Sequence, residues 1–210
     1  MKLLDVLSRI DAIAPLRKAE AWDNVGLMVG DPQQEVKRLG LTLDPLPEVI
    51  EEASRKGCQC VLSHHPMFME PLRRVDLSTD AGRVIQAAVK LDIAVLSAHT
   101  NWDSATGGVS HLLAEKLELK DITPLTPSED EAGGLGAVGN LPSEIALQEL
   151  LRKIKNAWGL TRLDYYGKQD CSILRVAMCG GSGGSLWRVA HKMQADLYVT
   201  ADMKYHDVRP

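Results

Sequence analysis

Two of the histidines adjoin. His64 and His65 follow the apolar run Cys58-Gln-Cys-Val-Leu-Ser63 and precede Pro66. Neutral imidazole is an ordinary ligand for zinc, iron, manganese or nickel, and two neighbouring rings can reach two neighbouring ions. Successive residues of a strand point to opposite faces, so both rings serve one site only where the strand stops. Pro66 has no N–H for a sheet ladder and steers His65 away from helical dihedrals, which places the stop there. The alternative is a loop in which both rings only hydrogen-bond their surroundings. A second polar group, His99-Thr-Asn-Trp-Asp103, ends the run Ile93-Ala-Val-Leu-Ser-Ala98, and a third, Asp202, Lys204 and His206, follows Asp196-Leu-Tyr-Val-Thr200.

The elements that must position these groups alternate. Leu3, Leu4, Leu7, Ile10 and Ile13 predict an amphipathic helix over 2–14, closed by Pro15. Strand Leu39–Asp44, helix Pro47–Lys56 ended by Gly57, the strand carrying the histidines, helix Asp80–Lys90 and strand Ile93–Ala98 then follow. This order predicts a parallel sheet with right-handed crossovers, whose sites form beyond the carboxyl ends of the strands. His64, His65, His99 and Asp103 are therefore expected at one sheet edge. Against this stands the reading that His99 and Asp103 cap the next helix or bond the backbone. Asp23 and Asn24 could orient a site, although a turn or cap role is the general expectation. His111, inside a helical stretch, reads as a surface or packing residue.

The Pro- and Gly-rich stretch 121–142, with the acidic run 128–131, marks a lobe boundary, dividing the chain into 1–125 and 126–210. Beyond it, Ser143 is the expected N-cap of a helix carrying Leu147, Leu150, Leu151 and Ile154, and Gly159–Tyr166 the expected strand of the second lobe. Gly180-Gly-Ser-Gly-Gly184 reads as a tight strand-to-helix turn. An anion site there is conceivable, but the loop lacks the Lys-Ser/Thr of a P-loop. The fold class is α/β: two lobes, a mainly parallel sheet with crossover helices, and a second, smaller α/β lobe.

Composition excludes several classes. The formal net charge of −4, with both signs interspersed, supplies no basic field for a phosphate backbone, so nucleic acid is not an expected partner. Asp5 and Arg9 interrupt any secretory signal, and no stretch approaches a membrane span. A cytoplasmic protein with Cys58, Cys60, Cys171 and Cys179 reduced is expected, since Cys58-x-Cys60 has no second pair spaced for tetrahedral zinc.

Five segments in order, Asp23-Asn-Val-Gly-Leu27, Ser63-His-His-Pro66, His99-Thr-Asn-Trp-Asp103, Gly180-Gly-Ser-Gly183 and Thr200-Ala-Asp-Met-Lys-Tyr-His206, resemble the Nif-three-like family, known as GTP cyclohydrolase 1 type 2 homologues. The resemblance spans nearly the whole chain. It implies a two-lobed α/β fold, two divalent cations per subunit held between the lobes, and assembly of copies into a ring, commonly a homohexamer. His64, His65 and Asp103 fall on the family's metal-ligand positions, and His99 and Lys204-Tyr205-His206 on motif residues lining the same cleft. The family continues to a Gly-His-x-x-x-Glu segment that adds two ligands, whereas this sequence stops at Pro210, so a C-terminally truncated copy is expected.

The chemistry that follows is hydrolysis. Paired divalent cations acidify a water and polarise the bond under attack, and His99 or His206 could shuttle protons, because imidazole titrates near neutrality. The expected substrate is a nucleotide or related small molecule, with Trp102 and Trp187 as candidate stacking partners for a base. A non-catalytic metal-binding scaffold or regulatory interaction protein is the rival expectation.

Overall fold

The computed structural model describes residues 1–128 and 133–208; most of the acidic run, together with Pro210, lies outside them. The chain divides into two compact units, Met1–Trp102 and Asp103–Pro210. The stretch 121–142, the expected boundary between 1–125 and 126–210, falls inside the second unit. Its described residues include a short two-stranded ribbon in which Thr126 and Pro127 pair with Leu135 and Gly134.

The first unit is a sheet covered on both faces. Helix α1 (Leu3–Ile13) is followed by strand β1 (Gly26–Val29), β2 (Leu39–Thr42), helix α2 (Pro47–Arg55), β3 (Cys60–Ser63), helix α3 (Asp80–Lys90), β4 (Ala94–Ser97) and the one-turn helix α4 (Thr100–Asp103), whose last residue opens the second unit. Pro47 starts α2 with its φ already helical, and the Thr79 hydroxyl accepts from Gly82 N–H at 3.1 Å to cap α3. The strands lie in the order β1-β4-β3-β2, with β2, β3 and β4 parallel and β1 antiparallel to β4. The strand period of two divides the core. Val61 and Val95 face Ile50, Ala53, Val84 and Ala88 of α2 and α3, while Cys60, Ala94 and Leu96 face Leu3 and Val6 of α1. That alternation makes the sheet a rigid mount, and its carboxyl edge is where the chemistry-bearing residues emerge.

The second unit carries helix α5 (Val109–Lys116), strands β5 (Lys120–Thr123), β6 (Thr126–Pro127), β7 (Gly134–Leu135) and β8 (Ala137–Ala146), helix α6 (Leu147–Trp158), β9 (Ser172–Met178), helix α7 (Trp187–Lys192), β10 (Leu197–Val199) and the short α8 (Tyr205–Val208). Its main sheet runs β10-β9-β8-β5, parallel only between β9 and β10, so the mainly parallel arrangement belongs to the first unit. Two local expectations are corrected. Ser143 lies within β8, and α6 starts at Leu147, because the stretch holding Pro142 is a β-bulge between the paired residues Asn140 and Ile145 rather than a helix approach. Gly159–Tyr166 forms no strand: Gly159 terminates α6 at φ 67°, and the chain runs irregularly to β9.

Candidate metal centre

The His-His step leaves β3 under the direction of two buried serines. His64 N–H donates to Thr42 O at 3.1 Å and His65 N–H to Leu43 O at 3.0 Å, so the chain still follows β2 for two residues. The Ser63 hydroxyl lies 2.7 Å from the His65 carbonyl, and the Ser97 hydroxyl 3.0 Å from that of His64. These bonds satisfy the departing backbone and turn the two rings towards one another. His99 leaves β4 in the same direction. Its N–H donates to Asn101 Oδ1 at 2.9 Å, and Asn101, fully buried, donates from Nδ2 to Ala14 O at 2.8 Å.

The three rings meet. Their centroids are 5.1 Å apart for His64–His65, 5.1 Å for His64–His99 and 5.6 Å for His65–His99, and one ligand atom of each lies within 4.8 Å of the others. Every Nδ1 is engaged with an oxygen that can only accept in its ordinary state: Ala98 O at 3.0 Å for His64, Asp44 Oδ1 at 2.7 Å for His65 and Asp23 Oδ1 at 2.9 Å for His99. Each neutral ring must therefore carry its proton on Nδ1, which leaves the lone pair on Nε2. Three imidazole lone pairs, oriented by acceptors behind them, suit zinc, iron, manganese or nickel and not magnesium or calcium, which prefer oxygen ligands. The donor set fits a divalent transition-metal ion.

The sheet explains which residues gather. Asp44 follows β2, His64 and His65 follow β3, and His99 follows β4, all at the carboxyl edge of the parallel strands. Asp23 arrives differently: β1 is antiparallel to β4, with Gly26 opposite Ser97, so the loop entering β1 reaches the edge from which β4 leaves. Asp23 Oδ1 faces His99 Nδ1, while Oδ2 accepts from Thr100 N–H at the start of α4, so contacts of both the orienting and the cap kind considered for it are present. Its side chain is wholly buried. Burial pushes the carboxyl up, but hydrogen bonds from His99, Thr100 and Asn24 outweigh it and hold the group below the ordinary carboxylate value. Asn24 donates instead to Phe68 O at 2.9 Å, tying down the loop after Pro66.

Other candidates lie outside this group. Asp103 ends α4, and His206 lies on α8 with its ring 5.4 Å from that of Tyr205; both belong to the second unit, and neither is in the group of close ligand atoms among the described residues. Trp187 donates to Asp207 at 3.4 Å and carries the Arg188 guanidinium 4.5 Å above its ring. The aromatic side chain beside the triad is one the sequence had not singled out: Trp22, 60% exposed, stands edge-on to His99 with centroids 6.2 Å apart. Its place before Asp23-Asn24 was the available signal, once β1 was known to run antiparallel. His111 is a surface residue 3.5 Å from Glu115, and the Gly180–Gly184 turn spends its polar groups internally, with Gly183 N–H donating to Thr200 Oγ1 at 3.0 Å and the Gly183 carbonyl accepting from the Tyr198 hydroxyl at 2.6 Å.

The model of the family described as Duf34/NIF3 (NGG1p interacting factor 3) matches residues 1–210. The chain belongs to the Duf34/NIF3 family. Among curated relatives, a GTP cyclohydrolase 1 type 2 homolog of Clostridium perfringens is 39% identical over 99% of this chain and 80% of its own length. One of Streptomyces coelicolor is 37% identical over 99% of this chain and 74% of its own. Among solved structures of NIF3-type folds, the Staphylococcus aureus protein SA1388 superposes with a TM-score of 0.91 at 27% identity, covering 99% of this chain and 81% of that one. No helix among the described residues is long and apolar enough to cross a membrane.

Proposed function

We propose that this NIF3 protein is a cytoplasmic, metal-dependent hydrolase of a nucleotide or related small molecule, working at a dinuclear centre built on His64, His65 and His99. The observation that carries the reading is the convergence of three imidazoles whose Nδ1 atoms are all engaged by acceptors, an arrangement with no purpose in packing alone. Asp103 is the proposed carboxylate ligand, on the strength of the family resemblance; with both nitrogens of His99 engaged in the centre, His206 is the proposed proton carrier. A divalent cation held by these imidazoles would supply Lewis acidity there. The chain's own residues hold the imidazoles in the binding tautomer, and Trp22 offers an exposed aromatic face beside them. The names of the relatives favour GTP as the first substrate to try. Self-assembly as a homohexamer rests on the resemblance.

A second reading has its own support. The family description names a protein interaction, which favours a non-catalytic metal-binding scaffold. Elemental analysis of purified protein with a GTP and nucleotide turnover assay separates the two. Stoichiometric metal and metal-dependent turnover, both lost in His64→Ala and His99→Ala, are the expected outcome. Metal bound without turnover of any nucleotide favours the scaffold, and a protein that retains no transition metal overturns both.

A further inference from the structure

Asp23 is held more completely than orientation of one imidazole requires. Its Oδ1 accepts from Asn24 N–H at 2.7 Å and faces His99 Nδ1 at 2.9 Å; its Oδ2 accepts from Thr100 N–H at 3.0 Å and, in a short contact, from the Thr100 hydroxyl. The turn that carries it is pinned as well, since Glu20 N–H donates to Thr100 Oγ1 at 2.9 Å and Asp23 N–H to Glu20 O at 2.9 Å. The carboxylate therefore cannot rotate without breaking bonds on both sides. Asp44, behind His65, differs: its side chain is half exposed and its Oδ1 engages only the imidazole in the described contacts.

We propose that Asp23 is a positioning residue of the metal centre, one that fixes His99 in the Nδ1–H tautomer and so keeps the Nε2 lone pair available to a cation. The inference rests on the metal-centre reading for its purpose, but its chemical content concerns the metal-free protein. Asp23→Ala removes the acceptor that faces His99 Nδ1 and leaves the Asn24 and Thr100 N–H donors turned into the space it vacates. An imidazole nitrogen facing a donor must accept, which moves the ring proton to Nε2 and blocks that nitrogen as a ligand. At position 44 the half-exposed side chain of Asp44→Asn is free to turn its amide oxygen to His65, and the tautomer survives. The two substitutions thus have opposite consequences for the rings they face.

The test reads the tautomers directly. Long-range proton–nitrogen NMR spectra of the 15N-labelled, metal-free full chain distinguish Nδ1–H from Nε2–H rings. Native protein should show His99 as Nδ1–H, D23A should show it as Nε2–H, and D44N should leave His65 as Nδ1–H. Cobalt(II) titration of the same samples should give an affinity about 10- to 100-fold weaker in D23A, the range for loss of an outer partner of a metal-binding histidine, against a change within about threefold in D44N. Retention of Nδ1–H in D23A, or equal losses of affinity in both variants, overturns the proposal. If D23A does not fold, the native spectrum still decides, because His99 found as Nε2–H overturns it. Failure of the native protein to bind cobalt, with the tautomers as expected, sinks the metal-centre reading and leaves the positioning of His99 standing.

Discussion

Asn101 shows how much of the centre depends on single side chains outside it. Its carboxamide joins the His99 N–H to the carbonyl of Ala14 just past α1, and no part of it reaches solvent. Asn101→Ala leaves a buried donor and a buried acceptor unpaired, each costing about 1–3 kcal/mol. The expected result is a lowered urea midpoint together with weaker cobalt binding, because the loop that aims His99 loses its anchor. A variant with the midpoint lowered and affinity unchanged would show that Asn101 supports the fold but not the ring. The sequence displayed Asn101 only as the middle of a motif. Nothing in its spacing announced a partner 87 positions away.

At the scale of elements, the carboxyl edge of β2, β3 and β4 collects the histidines and Asp44, and the antiparallel direction of β1 adds Asp23 and Trp22. The second unit uses its own strand-to-helix turn for compactness. A Cβ at Gly183 would stand 2.5 Å from Cys179 Cβ and 2.7 Å from both Thr200 Oγ1 and the Tyr198 hydroxyl. Gly183→Ala should therefore destabilise by about 1–3 kcal/mol, the cost of overpacking, whereas Ser182→Ala on the exposed side of the turn should be nearly neutral. Chemical denaturation of the two variants checks this, and equal midpoints would mean that the turn relaxes freely.

Across the whole molecule each unit keeps its own core, and each core encloses a thiol. Burial pushes Cys60 up to about 12, with the nearby Cys58 adding to it, and pushes Cys179 up to about 11, with the Asp103 charge adding to it. A folded-state value above the ordinary one means that stability is fully present below pH 9.0, the usual thiol value, and is lost as pH rises towards the folded values, since the unfolded chain gives up these protons first. The denaturation midpoint should hold to about pH 9 and then fall, and the fall should be shallower in Cys60→Ala than in the parent after normalising at neutral pH. A slope identical in both chains would show that other groups control the alkaline limb. Within the native state, Cys171, the one thiol of the four that is not buried, should react first with an alkylating reagent.

Local pattern determined much of this protein. Helical spacing located α1, α2 and α3 to within a residue or two, the apolar runs located β3, β4 and β9, and the strand–helix alternation brought His64, His65 and His99 to one edge, because parallel strands must all leave their sheet at the same side. Pro142 and the surrounding glycines hid β8, since its bulge breaks the period of two that a strand is recognised by. Only the tertiary structure decided that β1 runs against β4, that Asp23 consequently lies behind His99, and that all three rings present Nε2. A ring's tautomer is set by the atom facing its other nitrogen. Those atoms come from Ala98, Asp44 and Asp23, which lie between 21 and 76 positions from their histidines along the chain and meet them only because the sheet brings its strand ends together.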